Sequence, residues 1–499
     1  MTKMAAIVVK QQRMWGKNMN TPIYDFVKDY VSKDPVRLHM PGHKGVSAID
    51  GADAEENAYK YDITEIDGAD YLLAPSGIIA ESEANAGKLF GCHTLYSTEG
   101  SSLCIRAMMF LVKKYARSKG HEPLILAGRN AHASFVNAAA LLDINVEWIM
   151  QKESDSYESC SITGEDIEKV IKGYLNTEYL IKKLPDAVYI TSPDYLGNMS
   201  DIKELADVCH KYGLLLLVDN AHGAYLKFLE ESLHPVDFGA DICCDSAHKT
   251  LPVLTGGAYL HIASEDTKDV SVDQAAKDKR KFIAQNARQA LSVFATTSPS
   301  YLTLQSLDKC NAYLENNKSI KETAEKVASL KKKLLENKYL LIGNEPLKIT
   351  VGFNKESTLC SGLTDKLKEN GIYAEYQDRE HIVMMFSGST TEEDFQKVQK
   401  VLTMFAEENK DALNAQNDGK KAAGPDNKRK KAPNKSMSFK DAMLAQSEQV
   451  DAENSIGRIL AQPVLSCPPC VPVYMCGEVI GEEILNYCTG KVTVVKRSR

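Results

Sequence analysis

The segment Gly213-Leu-Leu-Leu-Leu-Val-Asp219 is apolar at every position after its glycine until it ends on an acid. A strand with no polar face must be covered on both sides, a condition met by parallel sheets with helices packed on each face. Similar short runs stand upstream at Leu124-Ile-Leu126, Val146-Glu-Trp-Ile149 and Ala187-Val-Tyr-Ile190, separated by segments of helical character such as Ile202 to Tyr212. The stretch from about Thr21 to Tyr301 therefore predicts an α/β unit with a mostly parallel sheet. Ligands of such open sheets bind beyond the carboxyl ends of the strands, where Asp219 would stand.

After Pro299 long polar helices take over, such as Ser319 to Glu336, with strand candidates at Leu347-Lys-Ile-Thr-Val351 and His381-Ile-Val-Met-Met-Phe386. That mixture predicts a smaller α+β domain. Residues 416–435 carry seven basic residues against two acidic ones among Gly, Pro and Asn, the composition of a solvated linker. Its Lys428-Arg-Lys-Lys431 run is read as solvated charge rather than as a nucleic-acid patch. Helix and strand character returns from Phe439-Lys-Asp-Ala-Met-Leu444 to Lys491-Val-Thr-Val-Val495, predicting a C-terminal module. The expected division is an extension over 1–20, a major domain over 21–302, a small domain over 303–412, a linker over 413–435 and the module over 436–499.

A chain of 499 residues exceeds one core of ordinary size. With 43% hydrophobic and 25% charged residues and a net charge of −7, it reads as a globular protein without a global attraction for nucleic acid. The apolar stretch Ala5-Ala-Ile-Val-Val9 is shorter than a signal-peptide core and far below the ~20 residues that span a bilayer, so neither export nor a membrane is expected. Twelve cysteines without an export signal suggest reduced thiols in a cytoplasm.

Lys249 follows the strand-like segment Ala240-Asp-Ile-Cys-Cys244 and precedes the Gly256-Gly257 turn. An acid at a strand mouth can keep a pyridine nitrogen protonated, and a lysine beyond the next strand can form an imine with an aldehyde cofactor. The pair points to pyridoxal phosphate. Taken singly, Asp219 could be a helix N-cap and Lys249 a solvated charge. Gly100-Ser101-Ser102 precede the apolar helical stretch Leu103 to Val112, where backbone N–H groups and hydroxyls suit a phosphate; a plain serine N-cap is the alternative. Ser246 and His248 flank the lysine and could donate to the same phosphate. Ala221 leaves room for a ring, and His132, in Asn130-Ala-His-Ala-Ser134, either stacks on that ring or is a structural polar residue.

Together these segments resemble the Orn/Lys/Arg decarboxylases, pyridoxal-phosphate enzymes of the aspartate-aminotransferase-like fold type I. The resemblance starts at Thr21-Pro-Ile-Tyr24 and Met40-Pro-Gly-His-Lys-Gly45. It runs through Asp62-Ile-Thr-Glu65, Ile78 to Glu83, Gly100 to Ser102, Ala131-His132, Asp219 to Gly223 and Ser246 to Lys249, and returns at Thr296-Thr-Ser-Pro-Ser-Tyr301. It implies Lys249 as Schiff-base lysine, Asp219 as pyridinium partner and His132 as the stacking residue. Gly100, Ser101, Ser102, Ala221, His222, Ser246 and His248 would complete the cofactor site. Thr297 or Ser298 would reach the phosphate of a neighbouring subunit, making a homodimer, or a higher homo-oligomer with shared sites, the working form. The short biosynthetic type it resembles implies a small-molecule substrate, arginine ahead of lysine and ornithine, in polyamine biosynthesis. Glu375, Asp378 and Glu478 are candidates to pair with the distal cation. Another pyridoxal-phosphate reaction, or a homologue without catalysis, are the other readings.

Asn220, Glu99 and Ala247 depart from the family pattern, which often has an acid, a polar amide and a threonine there. Cys467, Cys470, Cys476 and Cys488 form a four-thiol set that could bind zinc or act in redox chemistry. Two prolines in the spacer and the lack of a second Cys-x-x-Cys pair favour small buried side chains, and no metal is expected.

Overall fold

A computed structural model describes residues 19–47, 58–150, 152, 156–175, 184–264, 274–355, 357–418, 436–465 and 469–497. Residues 1–18 of the expected extension, residues 419–435 of the expected linker with the Lys428-Arg-Lys-Lys431 run, and Cys467 lie outside the described residues.

Seven strands form the central sheet: β1 His93–Ser97, β2 Leu124–Gly128, β3 Asn145–Ile149, β4 Ala187–Thr191, β5 Leu215–Asp219, β6 Ile242–Asp245 and β7 Ala258–Ile262. They lie in the order β1-β7-β6-β5-β4-β2-β3. β6, β5, β4, β2 and β3 are parallel, and β7 runs antiparallel to both β6 and β1. The apolar run read from the sequence is β5, buried at all five positions. Its alternation explains why no polar face is tolerated. Leu215 and Leu217 pack with Leu103, Met108, Phe135 and Ile283, side chains of the helices Gly100–Ser118, Ala133–Leu141 and Gln274–Ser292. Leu216 and Val218 point the other way, to Ile167, Ile171, Leu205 and Cys209 on the helices Gly164–Leu175 and Ile202–Lys211.

Beyond the sheet, the helix Tyr301–Glu315 packs on Pro22–Ser32 and Ile78–Phe90. Its Asp308 accepts hydrogen bonds from Ser82 Oγ at 2.6 Å and from the Tyr24 amide at 2.9 Å. A second, antiparallel sheet follows, in the order β10-β11-β9-β8, from β8 Leu340–Ile342, β9 Lys348–Gly352, β10 Tyr376–Gln377 and β11 His381–Met385. Helices Lys318–Glu336, Leu359–Glu369 and Glu392–Glu408 share its core. In the last segment β12 Ser447–Asp451 pairs with β15 Lys491–Val495, and β13 Val464–Leu465 with β14 Pro472–Tyr474. Phe439, Met475 and Cys476 from this segment enter the core of the large sheet, so the carboxyl-terminal part is built onto the sheet rather than tethered to it.

Leu217 has no exposed surface. Leu217→Ala is expected to cost about 2–5 kcal/mol through lost burial and a residual cavity, read as a lower urea midpoint with an unchanged m value.

Candidate active site

β4, β5 and β6 are parallel neighbours, so their carboxyl ends, Thr191, Asp219 and Asp245, emerge side by side. Asp219 is buried, with the Tyr189 hydroxyl donating to Oδ2 at 3.0 Å and the Ala221 amide to Oδ1 at 3.2 Å. Past β6 the chain turns at Ser246 into the single helical turn Ala247–Thr250, which carries His248 and Lys249. The direction of that turn is set by Asp245. Its carboxylate accepts from His234 Nε2 at 3.0 Å, His261 Nε2 at 3.1 Å and Asn220 Nδ2 at 2.8 Å. Burial alone would raise the Asp245 pKa, but the two imidazoles hold it well below the usual carboxylate range. His261, lowered by burial and raised more by Asp245, ends above its ordinary value.

A cavity of about 310 Å³ opens over these strand ends. At one end Gly100, Ser101 and Ser102 begin the helix Gly100–Ser118, one turn earlier than the apolar stretch alone suggests. Gly100 has φ +71°, a left-handed turn that glycine adopts freely, and its amide donates to Gly256 O at 2.7 Å. Ser246 Oγ donates to Ser101 Oγ at 2.7 Å, and Ser134 Oγ to Ser102 Oγ at 2.8 Å, which joins three hydroxyl-bearing loops at a helix start. His248 Nδ1 faces Gly257 O at 3.0 Å. Asp219, Ala221, His132 and Lys249 line the same cavity.

Lys249 Nζ lies 3.1 Å from His222 Nε2. Solvent reaches the lysine through the cavity, yet the surrounding protein desolvates its ammonium and pulls its pKa below the ordinary lysine range, with Asp219 and Glu375 acting the other way. Burial, then the charges of Lys249 and Lys348, hold His222 well below its usual value, which favours the neutral ring. Among the described residues the buried His222 Nδ1 has no hydrogen-bond partner. Burial also lowers His132, whose Nδ1 accepts from the Ser134 amide at 3.1 Å.

This donor set fits pyridoxal phosphate: amides and hydroxyls at a helix start for a phosphate, a buried acid for a pyridinium, and an amine of depressed basicity in the same cavity. Ten of the twelve expected site residues share the cavity. Thr297 and Ser298 do not line it in their own chain; they are exposed, beside Thr296, whose amide donates to Glu99 Oε1 at 2.8 Å.

The three departures have physical roles. Asn220 ties the residue after Asp219 to Asp245, where a second carboxylate would face the first across 2.8 Å. Glu99 accepts from Thr296, and Ala247 is buried in the hydrophobic cluster that holds Tyr225, Leu251 and Tyr259. Of the candidates for a distal cation, Glu478 is spent elsewhere. Both its oxygens accept from Arg129 Nη2, at 3.1 and 3.0 Å, and Oε2 accepts from the Met475 amide. Arg129 also donates to Pro472 O and Val473 O, pinning the carboxyl-terminal segment beside Asn130 and His132. Cys476 is buried in the main core, whereas Cys488 packs in the small C-terminal cluster, so the described thiols do not form one ligand set. Sequence reasoning missed Tyr189, Tyr195, Glu158 and Thr191. Each reaches the site through a tertiary contact and belongs to no motif.

A family profile described as Orn/Lys/Arg decarboxylase, major domain, matches residues 21–351. The chain belongs to that family. It is an enzyme of a decarboxylase family built on pyridoxal-phosphate chemistry. It is 29% identical over 494 residues to the arginine decarboxylase of Bacillus subtilis, covering 94% of this chain and 92% of that one. Identity to the arginine decarboxylase of Halalkalibacterium halodurans is 27% over 495 residues, covering 95% and 93%. The crystal structure of the Francisella novicida lysine decarboxylase superposes with a TM-score of 0.73 at 18% identity, covering 95% of this chain and 81% of that one, a likeness of fold.

The Arg129–Glu478 pair is buried on both sides. Glu478→Ala leaves a buried guanidinium unpaired and is expected to cost about 3–5 kcal/mol, seen as a fall in the thermal midpoint of the cofactor-loaded protein.

Proposed function

We propose that this protein decarboxylates a basic amino acid, with arginine ahead of lysine and ornithine. The observation that carries the reading is the convergence of Asp219, Lys249 and the Ser101–Ser102–Ser246 hydroxyls on one cavity. The names of the relatives support arginine. Pyridoxal phosphate, when bound, supplies the electron sink for the bonding pair left as carbon dioxide departs. In this assignment Lys249 is the covalent attachment point, and its depressed basicity leaves more of the amine neutral and nucleophilic near neutral pH. Asp219, held by Tyr189 and Ala221, keeps a pyridine nitrogen protonated. Gly100, Ser101, Ser102, Ser246 and His248 hold the phosphate, while Ala221, His222 and His132 border the ring.

The test is to incubate the cofactor-loaded protein separately with arginine, lysine and ornithine, following carbon dioxide and amine products by mass spectrometry. Agmatine from arginine is expected; no release from any of the three removes the assignment. Lys249→Ala should lower turnover on the order of 10³-fold or more.

A homodimer is the proposed working unit, in which Thr297 or Ser298 reaches the partner's phosphate. Val36, Leu38 and Met40 support it, being 86%, 91% and 64% exposed in one short stretch, an apolar strip suited to an interface. Leu38→Asp is expected to shift sedimentation toward monomer and to lower turnover with it. A cytoplasmic location is proposed on two supports: every described cysteine is a free thiol, and no described helix is long and apolar enough to cross a membrane. The division into a major domain over 21–302, a small domain over 303–412 and a module over 436–499 is likewise proposed.

A further inference from the structure

We propose that Glu158 is the residue that selects the substrate's distal cation; this rests on the basic-amino-acid reading above. Glu158 lines the same cavity as Lys249 and Asp219, yet is only 1% exposed. Its place is fixed by the backbone, since Asn130 Nδ2 donates to Glu158 O at 3.3 Å. Its carboxylate is poorly served. Among the described residues no donor reaches Oε2 in full hydrogen-bond geometry. Oε1 faces the Tyr376 hydroxyl at 3.2 Å, but that hydroxyl is also 3.0 Å from Asp378 Oδ2, and one phenolic proton cannot satisfy both.

The other acids at or near this site are already occupied. Asp219 accepts from Tyr189 and Ala221, and Glu99 from the Thr296 amide. Asp378 accepts from the amides of Glu380 and His381 and lies 3.1 Å from His381 Nδ1. Glu375 accepts from the Tyr195 hydroxyl at 3.0 Å. Of these acids Glu158 alone combines near-complete burial, a place in the cavity wall and an oxygen that meets no donor in full hydrogen-bond geometry among the described residues, the Ser156 hydroxyl being the polar group beside it. Burial raises its pKa; the Ser156 hydroxyl and His381 ease that rise, and Asp378 adds to it.

An unpaired carboxylate in such a place is costly until a cation arrives. A guanidinium or ammonium entering the cavity relieves that cost, whereas a neutral side chain of equal size leaves it standing. Discrimination built this way is steep, because the wrong ligand strands a buried polar group. The geometry favours a guanidinium, whose paired donors match one free oxygen beside a weakly engaged one.

The test uses the cofactor-loaded full chain and pairs arginine and lysine each with a neutral isostere, arginine with citrulline and lysine with 2-aminoheptanoate. For Glu158→Gln, kcat/KM on the preferred basic substrate should fall about 10- to 100-fold, mostly through KM. Its preference over the isostere should fall by a similar factor, while the visible absorbance of the bound cofactor stays. Glu158→Asp, which keeps the charge, should retain the preference. An unchanged preference in Glu158→Gln overturns the assignment. If that variant loses the cofactor absorbance, Glu158→Asp decides: loss of cofactor there too, or loss of the preference, makes the residue structural and also overturns it. Failure of the unaltered protein to release carbon dioxide from any basic amino acid removes the decarboxylase reading instead, and this role with it.

Discussion

The site depends on a carboxylate that never meets the substrate. Asp245 is fully buried at the end of β6 and gathers His234, His261 and Asn220 around itself. Through His261 it holds β7, and through Asn220 it holds the exit of β5. The residue after Asp219 and the residue before Ser246 are thereby bonded to each other. A buried charge with three good donors resists displacement, since moving any of them exposes it to an apolar core. The separation between the acid and the lysine is thus set by a fixed junction, although the two arise far apart in the chain.

Around that junction, burial does most of the electrostatic tuning. Lys249 and His222 are driven toward their neutral forms, while Glu158 is driven the same way from the other sign. Each charge in the cavity is therefore held at a cost, and a ligand that brings the opposite charge relieves it. Lys348, whose Nζ donates to Asp194 O and Tyr195 O, adds positive potential behind His222 without entering the wall.

The sheet was legible because burial on both faces leaves no freedom in composition: β2, β4 and β5 stand out as apolar runs in any reading. Lys249, Asp219 and the Ser101–Ser102 turn were legible because each combines a chemistry-bearing residue with a strand end or a helix start. Glu478 shows where such reading stops. As an acid near the carboxyl terminus it invited a role with a substrate cation, but its partner is Arg129, remote in sequence, and nothing local announces the pair. Glu158 shows the converse. It sits in the short segment Ser156-Tyr-Glu-Ser159 after β3, without periodicity or motif, and only packing against Asn130 and Tyr376 brings it to the cavity.

Pro469 and Val471 form part of the cavity wall, and between them Cys470, at φ +59°, accepts the Ala133 amide at 3.0 Å. This strip is among the last parts of the described chain to leave the ribosome, long after the seven strands and Lys249. Without that strip the cavity over Lys249 would lack part of its wall and stand more open to water. The chamber around the lysine is therefore assembled from two distant stretches of one chain, the strand ends of the sheet and a strip more than two hundred residues further on, and neither encloses the amine without the other.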